Sequence, residues 1–563
     1  MARVRSLFEI ALPLIASLLL LATVASVWGG RLTYPFDLEW MEGGMLAHAW
    51  RLQRGLPVYV PPNPDFVPYV YPPLYSAVVA ALGFVFGLSM TLGRVVSVAS
   101  ALATSAAIGF AARRAGGSWT LALGAGAMFL GTYPQAGAFY DLVRPDSLAL
   151  AFTAWSIAIA LEDHPRAPVV SGLLLVGAFL TKQNLAGFGA PLLVGLTLRD
   201  WRAGLRFALA SVVPALLAVG ALQLWTGGQY LVWMLDVPAS HPMAWARARY
   251  DVPREWGTAL PVAFAVLSVG FVVDAVRRQR SLPPWLVAAA PVWLGMAAAW
   301  RGTYEPPPPG LYPFGYGTAY FALVAAPLAL AGLGVGWVAD RVRFGAAERP
   351  DWRWVTLTGL VLTAAAMALV MRVHESGYVN VHAPLFVVLA LALGVNLAQW
   401  QLRWPPSAAW GGVAVAAQLV WSAGQFDRAR MVPDAADEAV GWAFVEEIRR
   451  VDGEVFSPFA AWLPVYAGKP PSLHAMGLWD CNMRDGPYFA ELDSVVEAMG
   501  EHKWALALGG HERVLRDVAD FYEPVKVVVP LEDPRFRPVT GYLARPWRVM
   551  APRARNRDDR RKR

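Results

Sequence analysis

Residues 7–29 read LFEIALPLIASLLLLATVASVWG, and the loop behind them carries Asp37-Leu38-Glu39-Trp40-Met41-Glu42. About 20 apolar residues suffice to cross the hydrocarbon core of a bilayer, so the first stretch reads as a span. Three carboxylates within a turn and a half of helix, so close to a membrane surface, lose part of their hydration. Their presence suggests proton transfer, a bound cation or a polar substrate. Arg3 and Arg5 precede the run as in a secretory signal, but its 23 residues are long for a cleaved segment and further spans follow. It reads as an uncleaved signal anchor.

Working outward, only 16% of residues are charged and 56% are apolar, with 25 Trp. A soluble domain has about 25% charged residues. Further apolar runs lie at 95–112, 119–133, 147–161, 207–225, 257–275, 283–300, 317–339, 354–371, 381–399 and 408–423. The expected fold is a polytopic α-helical membrane protein of about 12–13 spans, occupying residues 1–425. Cys481 is the only cysteine, which excludes an intrachain disulfide, a zinc ribbon and a CxxC redox site.

The net charge of +7 is concentrated in arginine-rich connections. It marks topology rather than nucleic-acid binding. Clusters at Arg3/Arg5, Arg113/Arg114, Arg199/Arg202/Arg206, Arg277/Arg278/Arg280, Arg341/Arg343/Arg349/Arg353 and Arg403 mark cytoplasmic loops. The loops 30–72, 134–146, 181–184, 226–256, 301–316 and 372–380, and everything after about 426, then lie outside. Parity between loop 30–72 and Arg113 allows one crossing, so the stretch 73–90 is expected to lie in the interface or re-enter. The stretch 169–198, broken by Lys182, is expected to form two short spans meeting at the outer surface.

From about Asp434 the composition becomes that of a soluble domain. Asp434–Val451 is helix-like, while Glu454–Val465 and Val525–Pro530 are strand-like. The expectation is a small extracytoplasmic α/β appendage over 426–552 and a basic tail at 553–563. No internal repeat is evident.

Within the first outer loop the acids precede an amphipathic helix at Met45–Leu52, a turn, and Tyr69-Val70-Tyr71-Pro72-Pro73-Leu74-Tyr75. Glu39 and Glu42 can share a helical face and Asp37 cannot join Glu39 on it. The plainer reading of all three is capping of the following helix. A second constellation, Tyr140-Asp141-Leu142-Val143-Arg144-Pro145-Asp146-Ser147, enters a span. Asp146 or Ser147 can simply cap it, but Arg144 is a fork donor suited to phosphate. Lys182 with Gln183 is a third polar point, alternatively a snorkelling lysine. In the later outer loops, Trp225–Tyr230, His241-Pro242, Arg301–Glu305 and Arg372–Glu375 read first as interfacial anchors and alternatively as binding acceptor or diphosphate, with nearby tryptophans as candidates to bind sugar. His241 and His374 look isolated, and no His/Asp spacing forms a metal site.

The order of these motifs resembles the GT-C integral-membrane glycosyltransferases, in the bacterial branch near the protein mannosyltransferases and lipid A aminoarabinose transferases. The likeness is good over 1–200, weaker over 200–425 and only architectural beyond. It implies transfer of a sugar from a polyprenyl-phosphate carrier outside the bacterial cytoplasmic membrane to a lipid, glycan or protein. It also implies an acid of the first outer loop as base: Asp37, Glu39 or Glu42, with Asp146 as the second outer-loop acid. Many relatives have adjacent Asp-Glu, whereas Leu38 intervenes here, so the resemblance leaves the base open among the three.

The chemistry fits the residues independently. A carboxylate takes the acceptor's hydroxyl proton, and cations hold the departing phosphate. Asp37, nearest the end of the first span, is the favoured base. Arg144, Lys182, Gln183 and Tyr71 are the candidate donor site together with Asp146. No cofactor is needed because phosphate leaves readily; Glu39 and Glu42 holding a divalent cation, Mg or Mn, is the alternative. A transporter or flippase of lipid-linked glycans and an envelope glycan polymerase are the competing functions. The one-sided clustering of ionisable residues weighs against the transporter.

Overall fold

The computed structural model describes residues 7–257, 260, 262–263, 352–403, 405–510 and 516–554. Three expected spans (257–275 for the most part, 283–300 and 317–339) lie outside these residues. So do the loop 301–316, the arginines at 277–280 and 341–349, and most of the tail 553–563.

The described chain is mostly helical. Five of its helices are long and apolar enough to cross a membrane: Leu7–Leu32, Met90–Arg114, Trp201–Trp225, Trp352–Val373 and Val379–Leu402. We label α1 (Leu12–Leu32), α2 (Glu42–Gln53), α3 (Leu74–Phe86), α4 (Met90–Arg114), α5 (Trp119–Leu130), α6 (Asp146–Ala160), α7 (Ala167–Thr181), α8 (Gly189–Arg199), α9 (Trp201–Trp225), α10 (Trp352–Val373), α11 (Ala383–Arg403) and α12 (Ser407–Ala423). Ser89 and Ser118 start α4 and α5 by accepting the backbone N–H of Leu92 and Leu121. A side-chain oxygen there satisfies an amide that has no partner within the helix.

Helix α4 is the central post, packed against α5, α6 and α11. Small residues let the backbones approach: a Cβ on Gly109 would lie 2.8 Å from the Ala122 carbonyl, and one on Gly126 2.6 Å from that of Ser105. Close backbone approach of this kind is the usual means of helix association where lipid replaces water.

Both irregular stretches form helices shorter than a span. Helix α3 has 13 residues, rising about 20 Å, too little for a span, and ends on the exposed Phe84, Val85 and Phe86. The 169–198 stretch is two helices, α7 and α8, joined by a 3₁₀ turn over Gln183–Phe188. The run at 119–133 differs: α5 stops at Leu130, and the chain turns through Gly137 (φ +68°) and Ala138 (φ +57°).

Arg114 and Arg353 pair with Glu162 and Asp163, and Arg199 also reaches Asp163, at 3.6 Å. Three of the arginine clusters thus converge at one end of the bundle. Arg94, twenty residues before Arg114 on α4, is about 30 Å away at the other end, beside the acidic loop.

The C-terminal region holds a four-stranded sheet in the order β1-β2-β4-β3: β1 Val455–Phe456, β2 Leu506–Gly509, β3 Tyr522–Val527 and β4 Arg548–Pro552. β1 pairs parallel to β2, and β4 runs antiparallel to both β2 and β3. The helix expected at Asp434–Val451 is α13 (Ala435–Arg449), begun by a reciprocal Asp434/Asp437 capping box. The expected strand at Glu454–Val465 is only two residues long, because Pro458 and Pro464 enter a turn and a short helix, Leu463–Tyr466. The region is no detached appendage. Val539 donates its N–H to the Leu38 carbonyl (2.9 Å), and Tyr466 and His474 bond the carbonyls of Pro35 and Trp40.

Candidate active site

The acidic stretch is not a helix. Residues 37–41 form a loop, and α2 begins at Glu42. The three acids therefore point to different partners.

Glu42 faces Arg94, whose Nε and Nη2 donate to its two carboxylate oxygens at 3.0 and 2.7 Å. The N–H groups of Leu38 (2.6 Å) and Val143 (2.8 Å) donate to the same oxygens. The remaining Arg94 donors reach the carbonyls of Arg31, Tyr34 and Phe36. Burial works against the charge of Glu42, but the guanidinium prevails and holds its carboxyl below the usual range. Four N–H groups thus occupy the two oxygens of Glu42, which ties the first loop to Arg94 and Val143.

Asp37 is partly buried and accepts the Gly43 N–H at 2.6 Å. Gly43 is the second residue of α2, so the capping role applies here, delivered from six residues upstream. Burial and the charge of Glu42 push the Asp37 carboxyl well up.

Glu39 is buried, and its Oε2 accepts from Met41 N (3.2 Å) and Arg144 Nη1 (3.0 Å). Its Oε1 has no hydrogen-bond partner among the described residues. Burial pushes the carboxyl up and Arg144 pulls it back, leaving it at about 7. Gly541, at φ +73°, lies over this oxygen; a Cβ there would come within 2.7 Å of it. A side chain at 541 would be strained and would close off the oxygen as well.

Arg144 joins this acid to a second centre. Its Nη2 donates to the Tyr71 hydroxyl at 2.8 Å, and its Nε lies 3.8 Å from Asp146 Oδ2. Asp146 Oδ1 accepts from Lys182 Nζ (2.7 Å) and Asn380 Nδ2 (2.8 Å). Gln183 donates to the Val70 carbonyl at 3.0 Å, fixing the Tyr71 segment against the α7–α8 break. The sequence-derived residues Glu39, Tyr71, Arg144, Asp146, Lys182 and Gln183 thus meet in one network of two carboxylates and two cations.

Two of the plainer readings fail. Lys182 is buried against an acid and does not snorkel. Asp146 and Ser147 do not cap α6: Pro145 holds the cap position, and Ser147 bonds the Tyr140 carbonyl. Asp141 instead binds Arg31 (2.8 Å) and the Tyr133 hydroxyl (2.8 Å), bracing the loop. His241 and His374 are not isolated: their rings lie 5.0 Å apart. Arg372 is tied to Glu255 (2.8 Å) rather than exposed as an anchor.

Sequence reading missed Arg31 and Arg94. Each is a cation at the end of a span on the side where the arginine map places none, and that anomaly was the available signal. Among the described residues no group of three or more His, Cys, Asp or Glu is arranged to hold a metal ion. That leaves the Mg or Mn alternative without a built site among those residues.

No family model matches the chain, and no curated protein matches it. Among solved structures it is similar to ArnT from Cupriavidus metallidurans bound to undecaprenyl phosphate, at 17% identity and TM-score 0.47, over 95% of this chain and 97% of that one. The apo state of the same protein gives 16% identity and TM-score 0.44 over the same shares. Similarity at this level assigns no chemistry, which rests on the geometry above.

Proposed function

We propose that this chain is an inverting membrane glycosyltransferase. It moves a sugar from a polyprenyl-phosphate donor to a lipid, glycan or protein at the outer face of a bacterial cytoplasmic membrane. Its 12–13 spans lie within residues 1–425, with an extracytoplasmic domain over 426–552. One observation carries the reading: a buried carboxylate, Glu39, with an oxygen uncommitted among the described residues, sits on an arginine that holds the Tyr71 hydroxyl and, through Asp146, adjoins a lysine.

In the reaction the acceptor's hydroxyl oxygen attacks the anomeric carbon as the carbon–oxygen bond to phosphate breaks. The electron pair leaves with the phosphate, and Glu39 takes the hydroxyl proton. A carboxyl poised near 7 combines basicity with partial ionisation at neutral pH. Lys182 has two further ammonium donors. Burial pushes the Tyr71 phenol up to about 12, so it keeps its proton for the phosphate. Glu42 and Asp37 position the loop. The test is mass spectrometry of envelope lipids and glycans from cells carrying wild type or Glu39→Gln. A single-sugar addition lost in the variant supports the reading, and an unchanged envelope overturns it.

Arg144→Gln and Lys182→Gln should each weaken binding of undecaprenyl phosphate by about 10–100-fold, the worth of one charge-assisted hydrogen bond. Equal affinity in both variants and wild type would remove these residues from the donor site. For topology, a cysteine at the exposed Arg54 should react with an impermeant thiol reagent added outside intact cells. Labelling only after the inner face is opened would invert the map.

A further inference from the structure

The site has a second pole, supplied by the C-terminal region. Asp480, in the last turn of the helix Ala475–Cys481, is 1% exposed, and neither of its carboxylate oxygens has a hydrogen-bond partner among the described residues. Beside it, His241 Nε2 lies 3.0 Å from the Asp480 backbone carbonyl and 3.6 Å from Oδ1. A carbonyl only accepts, so Nε2 carries the proton and Nδ1 is a bare acceptor. Nδ1 is also buried without a partner among the described residues. Three buried polar atoms with no partner among the described residues are thus gathered at one place. Buried polar atoms are nearly always paired, so such a cluster calls for an explanation. An unpaired buried polar atom costs stability, and a fold that keeps three together implies a ligand that pairs with them.

The surroundings define that donor. The Trp479 ring lies 5.3 Å from His241 and is only partly buried. Asp480 is within electrostatic reach of Arg144 and of Tyr71, so this pole adjoins the phosphate-side network. Neither Asp480 nor a neutral His241 offers a phosphate a cation. A ring bearing hydroxyl groups, which donate and accept from its rim while a face rests on an indole, satisfies them.

We propose that Asp480 and His241, flanked by Trp479, form a subsite for the hydroxyl groups of a sugar ring, and that this ring is the one carried by the donor. The proposal rests on the glycosyltransferase reading. Burial keeps the His241 ring neutral and pushes the Asp480 carboxyl well up, so the subsite handles an uncharged ring without a countercharge.

The experiment compares bare undecaprenyl phosphate with a panel of the same lipid carrying single hexoses or pentoses, on full-length wild type, Asp480→Asn and Asp480→Leu. Wild type should bind one glycosylated carrier at least about tenfold more tightly than the bare lipid. Both variants should lose that gain while keeping their affinity for the bare lipid and melting no lower than wild type. If the gain survives but sugar addition to the envelope is lost, the subsite holds the acceptor's hydroxyls, the same chemistry from the other substrate. Gain and transfer both intact, or no gain in wild type for any carrier, would overturn the proposal. A fall in melting temperature in both variants would overturn it too, by making the pair structural. Failure of wild type to bind bare undecaprenyl phosphate would instead defeat the underlying function, and this inference with it.

Discussion

Glu39→Gln is expected to lower glycosyl transfer by about 10²–10⁴-fold while the protein stays folded and still holds undecaprenyl phosphate. Glutamine keeps the acceptor oxygen for Met41 and Arg144 but cannot take a proton. In wild type, kcat/KM should rise with pH through about 7 as Glu39 ionises, and a plateau reached already at pH 5 would contradict the assignment. Stability moves the opposite way. The folded carboxyl holds its proton up to about 7, whereas an unfolded one releases it near 4.5, so the folded state binds more protons in that window. Stability therefore declines as pH rises through it, and Glu39→Gln should flatten that decline in a melting series. Asp37→Asn should cost less activity. If it abolishes transfer while Glu39→Gln retains it, the base is Asp37; if Asp37→Asn, Glu39→Gln and Glu42→Gln all remain active, the mechanism falls.

Arg94→Met should act on the fold rather than the chemistry. It leaves Glu42 ionisable, buried and without its guanidinium, and strands the carbonyls of Arg31, Tyr34 and Phe36. Breaking one side of a buried pair costs about 3–5 kcal/mol, so little monodisperse protein is expected in detergent. Arg94→Met combined with Glu42→Leu should recover part of the lost melting temperature, since it removes both charges. A single Arg94→Met that melts like wild type but cannot transfer would move the pair into the reaction.

Much of this arrangement was legible in the sequence, for a reason. Spans are written in hydropathy, which a bilayer enforces strongly, so α1, α4, α9, α10 and the break at Lys182 could be read directly. The acids and cations of the site stood out because charge is scarce here. Ranking the acids was not legible. Asp37 looked favoured from its closeness to the first span, yet what separates it from Glu39 is that Gly43 claims one and Arg144 the other. Those are contacts made only when the loop closes. Arg94 was overlooked for a similar reason, its partner being 52 residues away. The sheet was least legible, since a two-residue strand such as Val455–Phe456 leaves no alternation to detect.

The cover over Glu39 bears on how the molecule comes into being. Leu38, Trp40 and Gly137 are bonded by Val539, His474 and Thr540, and the latter two contacts join residues 434 and 403 positions apart. The first loop is made early, and the residues that roof it follow it by hundreds of positions. Until they have been made, Glu39 lacks the cover of Gly541 and the Trp40 carbonyl lacks His474. A chain truncated before Val539 would carry Glu39, Arg144, Asp146 and Lys182 and still leave the first loop without the bonds from Val539 and Thr540. Synthesis of the C-terminal region is thus the step that closes the loop over the carboxylate.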